Sequence, residues 1–250
     1  MGSTQTVSSA SLTYQSVGRW FYASMAVVAM LVSIGSFGPS MIHTGGREGP
    51  PTAMMAAHGV IFFVWLVVFL VQSVLVRTGK LALHRRLGFL STFLAAAMIV
   101  LGYLTTIAMA RRGFDLSGDL KIRSDPLAGI AFPLLDIFMF AVLFVAAYLY
   151  RHRSAVHKRL MLLAVLGALL PAPLAHLVGH FAFFYDKPLL VPVIIEVFLV
   201  PSAIYDRITF GRIHPVSLWI ALTIFVLDNL WAAIVMRSTA WHAFAAWLVY

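Results

Sequence analysis

Five sets of ionisable residues lie inside long apolar runs: His58, Asp136, the pair His176 and His180, Glu196, and Asp228 beside Asn229. Such groups are costly in hydrocarbon, so each marks a candidate site. His176 and His180 are four apart and share one helix face. That spacing suits two ligands to one metal, or one ligand and the group that orients it. Asp136 and Glu196 would serve as metal ligand, proton relay or general base, or as neutral acids bonded to a neighbouring helix. Asp228 is similar but sits nearer a helix end. His58 heads a stripe with Phe62, Trp65, Phe69 and Gln72, all on one helix face. Aromatics between two polar ends could wall a flat cofactor, or form an ordinary seam between helices. His84 and His157 each stand beside two basic residues. Anionic headgroups explain such clusters, and the same geometry would bind an anion such as a haem propionate.

These residues need long apolar helices to carry them. The 250-residue chain is 61% hydrophobic and 11% charged, where a soluble domain carries about 25% charged residues. A membrane span takes about 20 apolar residues. The pattern predicts an all-α polytopic bundle of about seven transmembrane helices, near 20–37, 54–76, 88–110, 127–150, 160–184, 189–205 and 216–236. A polar tail over 1–18 is expected to be disordered, with residues 19–250 forming one membrane domain. The first apolar run lacks an A-x-A cleavage site and reads as a retained helix. His43, Arg47, Pro50 and Pro51 fall in the first loop. Pro171 and Pro173 should loosen the fifth helix, and Trp241, His242 and Trp247 form an aromatic tail.

Charge sets the expected orientation. Most of the 18 Lys and Arg fall on the side of the N-terminus, densest in Arg77–Arg86 and Arg151–Arg159. The positive-inside rule then places the N-terminus in the cytoplasm and the C-terminus outside. In that frame His58, Asp136, His176, His180, Glu196 and Asp228 all lie toward the outer leaflet, while His84 and His157 lie at the inner edge. The net charge of +9 belongs to helix ends and gives no nucleic-acid face. Absence of Cys excludes disulfides, thiolate metal sites and cysteine nucleophiles. The four lysines, Lys80, Lys121, Lys158 and Lys187, all fall in loops or helix ends, so no retinal Schiff base is expected in the seventh helix. His84-Arg85-Arg86-Leu87 and His157-Lys158-Arg159-Leu160 form a short internal repeat, each opening the second helix of a hairpin.

The run Ala57-His58-Gly59, Trp65, Gln72, Gly79 and Leu83-His84-Arg85-Arg86-Leu87-Gly88 resembles a group of uncharacterised bacterial multi-pass membrane proteins. So do His157-Lys158-Arg159-Leu160-Met161-Leu162-Leu163, Tyr205-Asp206, Arg212-Ile213-His214-Pro215 and Thr239-Ala240-Trp241-His242. The resemblance implies a multi-pass protein of the bacterial inner membrane. A looser likeness is to two-haem b-type membrane cytochromes, which place paired histidines near both faces. It implies His58 paired with His180 or His176 at one face, His84 with His157 at the other, haem b as cofactor, and a redox partner. An alternative is an intramembrane zinc hydrolase, with His58, His176 and His180 as ligands and Asp136 or Glu196 as base, although no HExxH motif is present. A third reading is a small proton-coupled transporter acting as a homodimer. A fourth is an assembly role in which the polar groups only bond helices together.

Overall fold

A computed structural model describes residues 9–42, 52–113, 125–181, 183 and 190–250. Among them all regular structure is helical, as the apolar runs require: a backbone in hydrocarbon must satisfy its own hydrogen bonds. The helices are α1 (Ser9–Ile42), α2 (Ala53–Arg77), α3 (Leu81–Arg112), α4 (Pro126–Gly129), α5 (Ala131–Leu149), α6 (Ser154–Ala168), α7 (Pro171–Gly179), α8 (Leu190–Glu196), α9 (Val200–Phe210), α10 (Pro215–Ala233) and α11 (Thr239–Val249). They form a polytopic bundle with six stretches long and apolar enough to cross a membrane.

The boundaries differ from expectation where local chemistry decides. Helix α1 starts at Ser9, so residues 9–18 of the expected disordered tail are helical. Once a span has nucleated a helix, each further residue adds a bond at little cost. Residues 1–8 and the first loop, with His43, Arg47, Pro50 and Pro51, lie outside the described residues. Helix α3 begins at Leu81, because Gly79 (φ 74°) reverses the chain in two residues. His84, Arg85 and Arg86 are therefore inside the helix. The fifth expected helix breaks at Leu169–Leu170. Pro171 has no N–H to donate and opens α7 as its first residue, while the Leu170 N–H reaches back to Val165 O at 2.9 Å. The sixth expected helix is split by a 3-10 turn at Val197–Leu199 ahead of Pro201. Thus, among the described residues, six segments long and apolar enough to span, the fifth of them broken before Pro171, and one shorter segment split at Val197–Leu199 stand where seven helices were expected. The aromatic tail is the helix α11, opened by Ser238, whose hydroxyl accepts the Trp241 N–H at 3.1 Å.

Two antiparallel hairpins, α2–α3 and α5–α6, give the bundle its frame, as the repeated motif suggested. Helix α6 is its axis: Arg159, Leu160 and Leu162–Ala168 are all buried, and α1, α5 and α10 pack around it. An axis helix must be apolar on every side. At Gly167 α6 comes so close to α10 that a Cβ would sit 2.5 Å from Ile224 Cδ1. The turns Arg77–Leu81 and Arg151–Ser154 and the start of α10 share one end of the bundle, the basic end. The start of α2, the C-terminal parts of α3 and α7, and α11 lie at the far end. There Trp241 Nε1 donates to Leu127 O at 2.8 Å and Arg111 Nε to Val249 O at 2.8 Å, fastening α11 to α3 and α4.

Candidate functional site

The two motif histidines meet at the basic end. His84, in the first turn of α3, and His157, in the first turn of α6, have ring centres 6.4 Å apart and nearly perpendicular planes. Both are half-buried. The hairpins bring them together, since each opens the second helix of its hairpin. His157 Nδ1 lies 2.8 Å from Ala147 O and must donate to it, which fixes the ring and turns Nε2 into an acceptor. His84 Nδ1 is buried without a hydrogen-bond partner, as are Gln72 Oε1 and Arg77 Nε on the preceding helix. Gln72 lies over Gly88, one turn beyond His84: a Cβ there would be 3.5 Å from Gln72 Nε2. The Arg77 guanidinium stands 5.4 Å from the Trp20 ring.

The geometry can be tested against a bound metal. With metal–nitrogen bonds of about 2.0 Å plus the radius of each ring, two imidazoles on opposite sides of one ion have centres about 6 Å apart. The His84–His157 spacing fits that arrangement. The orphaned polar atoms fit it too, because a buried donor or acceptor left unpaired costs about 1–3 kcal/mol unless a ligand engages it.

At the far end the histidines are arranged differently from the expectation. His176 and His180 do come together, with ring centres 5.0 Å apart. His176 packs against α1: its ring centre is 4.6 Å from that of Phe37, and its Nδ1 is 3.0 Å from Ser36 Oγ. The Ser36 hydroxyl spends its proton on Pro173 O at 2.7 Å, so the imidazole donates to the hydroxyl. His58 instead stacks on Phe62 of its own helix at 4.1 Å, with Nδ1 buried and unpartnered. Among the described residues no three His, Asp or Glu side chains converge to hold a metal ion. The expected zinc set of His58, His176 and His180 is therefore not assembled. The reason is that α7 presents His176 to α1. The middle of the α2 stripe is a packing seam, with Trp65 (1% exposed) set edge-on against Phe140 and Phe144.

Three buried carboxyls stand on α5, α8 and α10: Asp136, Glu196 and Asp228. Asn229 Nδ2 donates to both Glu196 oxygens at 3.2 and 3.3 Å.

The sequence reading missed a fourth constellation. Arg159, assigned there to the membrane surface, is 3% exposed and Asp206 is fully buried. Arg159 Nε donates to both Asp206 oxygens at 3.0 Å, and its Nη2 forms an ion pair with the same carboxylate. Ser217 Oγ and the His214 N–H also donate to Asp206, at 2.5 and 3.2 Å. This network ties α6, α9 and α10 at the basic end. Lys158 stands 5.4 Å from the rings of Tyr22 and Phe210. The matching positions of the other hairpin, Arg85 and Arg86, are exposed, so the repeat is used differently in its two copies. The signal lay in Tyr205-Asp206 and His214-Pro215-Val216-Ser217, which supply the carboxylate, the N–H and the hydroxyl.

No protein-family model, curated protein or solved structure matches this chain.

Proposed function

We propose that this chain is a membrane electron-transfer protein that would hold a b-type haem at its basic end through His84 and His157. The observation that carries the reading is the meeting of two motif histidines from separate hairpins at a spacing suited to one metal between them. His157 is oriented by Ala147 O, the kind of bond that fixes a metal-ligating histidine. Arg77, with an unpaired buried Nε, would face a propionate, and Gln72 would line the same space. The haem would supply a one-electron couple, its potential set by the two imidazoles and by burial. The protein holds both rings on separate helices, so the ligands stay in register as the charge changes. By the positive-inside rule the basic residues at this end support an orientation in which it faces the cytoplasm, and in a bacterial inner membrane a soluble or membrane redox partner would reach it there.

An absorption spectrum of the detergent-purified protein, oxidised and then reduced with dithionite, tests this together with metal analysis. A sharp reduced b-type band is expected, lost in both His84→Ala and His157→Ala and kept in His58→Ala. A band that survives both substitutions, or the absence of stoichiometric iron after growth with haem precursor, would overturn the reading. Loss only in His58→Ala and His180→Ala would move the ligand pair to the far end.

A further inference from the structure

Lys158 is a half-buried cation with no anion to meet it. It stands one turn inside α6 at the basic end, about 6 Å along the axis from Ser154. Its Nζ is 5.4 Å from the ring centres of both Tyr22 on α1 and Phe210 on α9. The two rings hold the ammonium where α1, α6 and α9 meet. Among the described residues it has no ion pair; those present are Arg159–Asp206 and His242–Asp125. Asp206 is the carboxylate of this region, and its oxygens already take Arg159 Nε and Nη2, the Ser217 hydroxyl and the His214 N–H. A carboxylate has room for about four donors. Adjacent residues on a helix point about 100° apart, so Lys158 looks away from His157 and the histidine pair.

A second donor at the same place lacks an acceptor. Tyr22 Oη is buried without a hydrogen-bond partner. Its ring is held edge-on to Tyr205 at 5.6 Å, and Tyr205 stacks on Phe21 at 4.1 Å. An ammonium and a phenol hydroxyl together call for an oxyanion, and Lys binds phosphate as a point charge.

The surroundings specify what carries that phosphate. Val200, Ile204 and Ile208 of α9 are four apart and each about half exposed, so they form one apolar stripe. Phe210 is beside Lys158, while Leu199 is beside Gly167, where an added Cβ would be 3.3 Å from Leu199 Cδ2. The stripe therefore runs from the basic end toward the middle of the α6 span, the path of an acyl chain. A headgroup with its own ammonium would bring a second cation against Lys158, so an anionic one fits better.

We propose that Lys158 and Tyr22 hold the phosphate of an anionic phospholipid where α1, α6 and α9 meet, with one acyl chain along Val200, Ile204 and Ile208.

Native mass spectrometry of the delipidated full chain tests this by titration with phosphatidylglycerol and with phosphatidylcholine of the same acyl chains. The wild type should bind the first about fivefold more tightly, the worth of one basic residue beside an anionic headgroup. Lys158→Gln should abolish that preference and Lys158→Arg should keep it. Tyr22→Phe should weaken both lipids about tenfold, since both carry the phosphate its hydroxyl would bond. Lys80→Gln, at an exposed cation of the same end, should leave the preference intact. Circular dichroism and monodisperse elution qualify each variant; if Lys158→Gln fails them, Tyr22→Phe decides. Equal binding of the two lipids by the wild type would overturn the proposal, as would a preference that survives Lys158→Gln or binding unchanged by Tyr22→Phe. An equal loss in Lys80→Gln would overturn it in favour of diffuse surface charge. Displacement of the lipid by inorganic phosphate at matched ionic strength would overturn it in favour of a free-anion site.

Discussion

Replacing Asp206 by Ala should destabilise the bundle by about 3–5 kcal/mol, the cost of stranding one member of a buried ion pair. The size follows from what is left behind. The Arg159 guanidinium loses its carboxylate while keeping one hydrogen bond, from Nη1 to Ala155 O at 2.6 Å, and the Phe210 ring at 5.3 Å. It cannot shed its proton to escape. Ser217 Oγ and the His214 N–H lose their acceptor as well, each worth about 1 kcal/mol. Arg159→Met should cost less, because the abandoned carboxyl can take up a proton and keeps its bonds from Ser217 and His214. The double variant should be more stable than the sum of the two losses by at least about 2 kcal/mol. Denaturant unfolding in mixed micelles, followed by circular dichroism, measures all three. Equal, additive losses under about 1 kcal/mol would refute the argument, since the pair would then behave like an exposed one.

Other expectations follow from single contacts. Gly167→Val should cost about 1–3 kcal/mol in the same assay by overpacking against Ile224 and Leu199, and Gly167→Ala less, because the Ile224 terminal methyl can turn away. Gly79→Ala should cost about 1–2 kcal/mol through its left-handed backbone alone, with no atom within 4 Å of the added Cβ, and Gly79→Asn less. The contact between His242 Nε2 and Asp125 Oδ2, at 2.6 Å, should make the docking of α11 depend on pH. Bonding to Ser238 O, and then to Asp125, raises the His242 pKa above 6.5. Partial burial opposes ionisation of Asp125, but the bonds from His242 and from the Leu127 and Ala128 N–H groups outweigh it and hold this carboxyl below 3.8. A raised histidine stabilises below its unfolded value and loses that as pH rises through its folded value; a depressed acid loses its contribution as pH falls through its own. Protection of the α11 amides, taken relative to intrinsic exchange at each pH, should therefore be highest between those two limits. His242→Ala should flatten the profile, and an unchanged profile would show that the latch plays no part.

The all-helical bundle was legible because apolar length is a local property, and so was the break before Pro171. His84 and His157 were found together because a repeated motif opens the second helix of each hairpin. Arg159 was misread because its neighbours in sequence match those of exposed Arg86, while its partner Asp206 lies 47 residues on; no local pattern reports such a contact. The zinc set failed for the same reason. Depth in the membrane can be counted along a helix, but the direction a face turns depends on its neighbours, and α7 turns toward Ser36 and Phe37. The 3-10 turn at Val197–Leu199 carries no polar mark, although Pro201 just after it was a usable sign. Helix α11 was too short to register as a span, yet Ser238 ahead of Thr239-Ala240-Trp241 is a capping signal.

The enclosure of α6 has a consequence for the order in which the protein is made. The outer helices show apolar faces to lipid and can rest in the bilayer as each leaves the ribosome. Helix α6 enters earlier than α9 and α10, which later cover it, and it brings the guanidinium of Arg159 before Asp206 exists. Until α9 is synthesised that charge has to wait at the membrane surface with its side chain in water. The axis of the bundle can therefore sink to its final depth only when the last fifth of the chain arrives, so biogenesis ends on a helix made earlier.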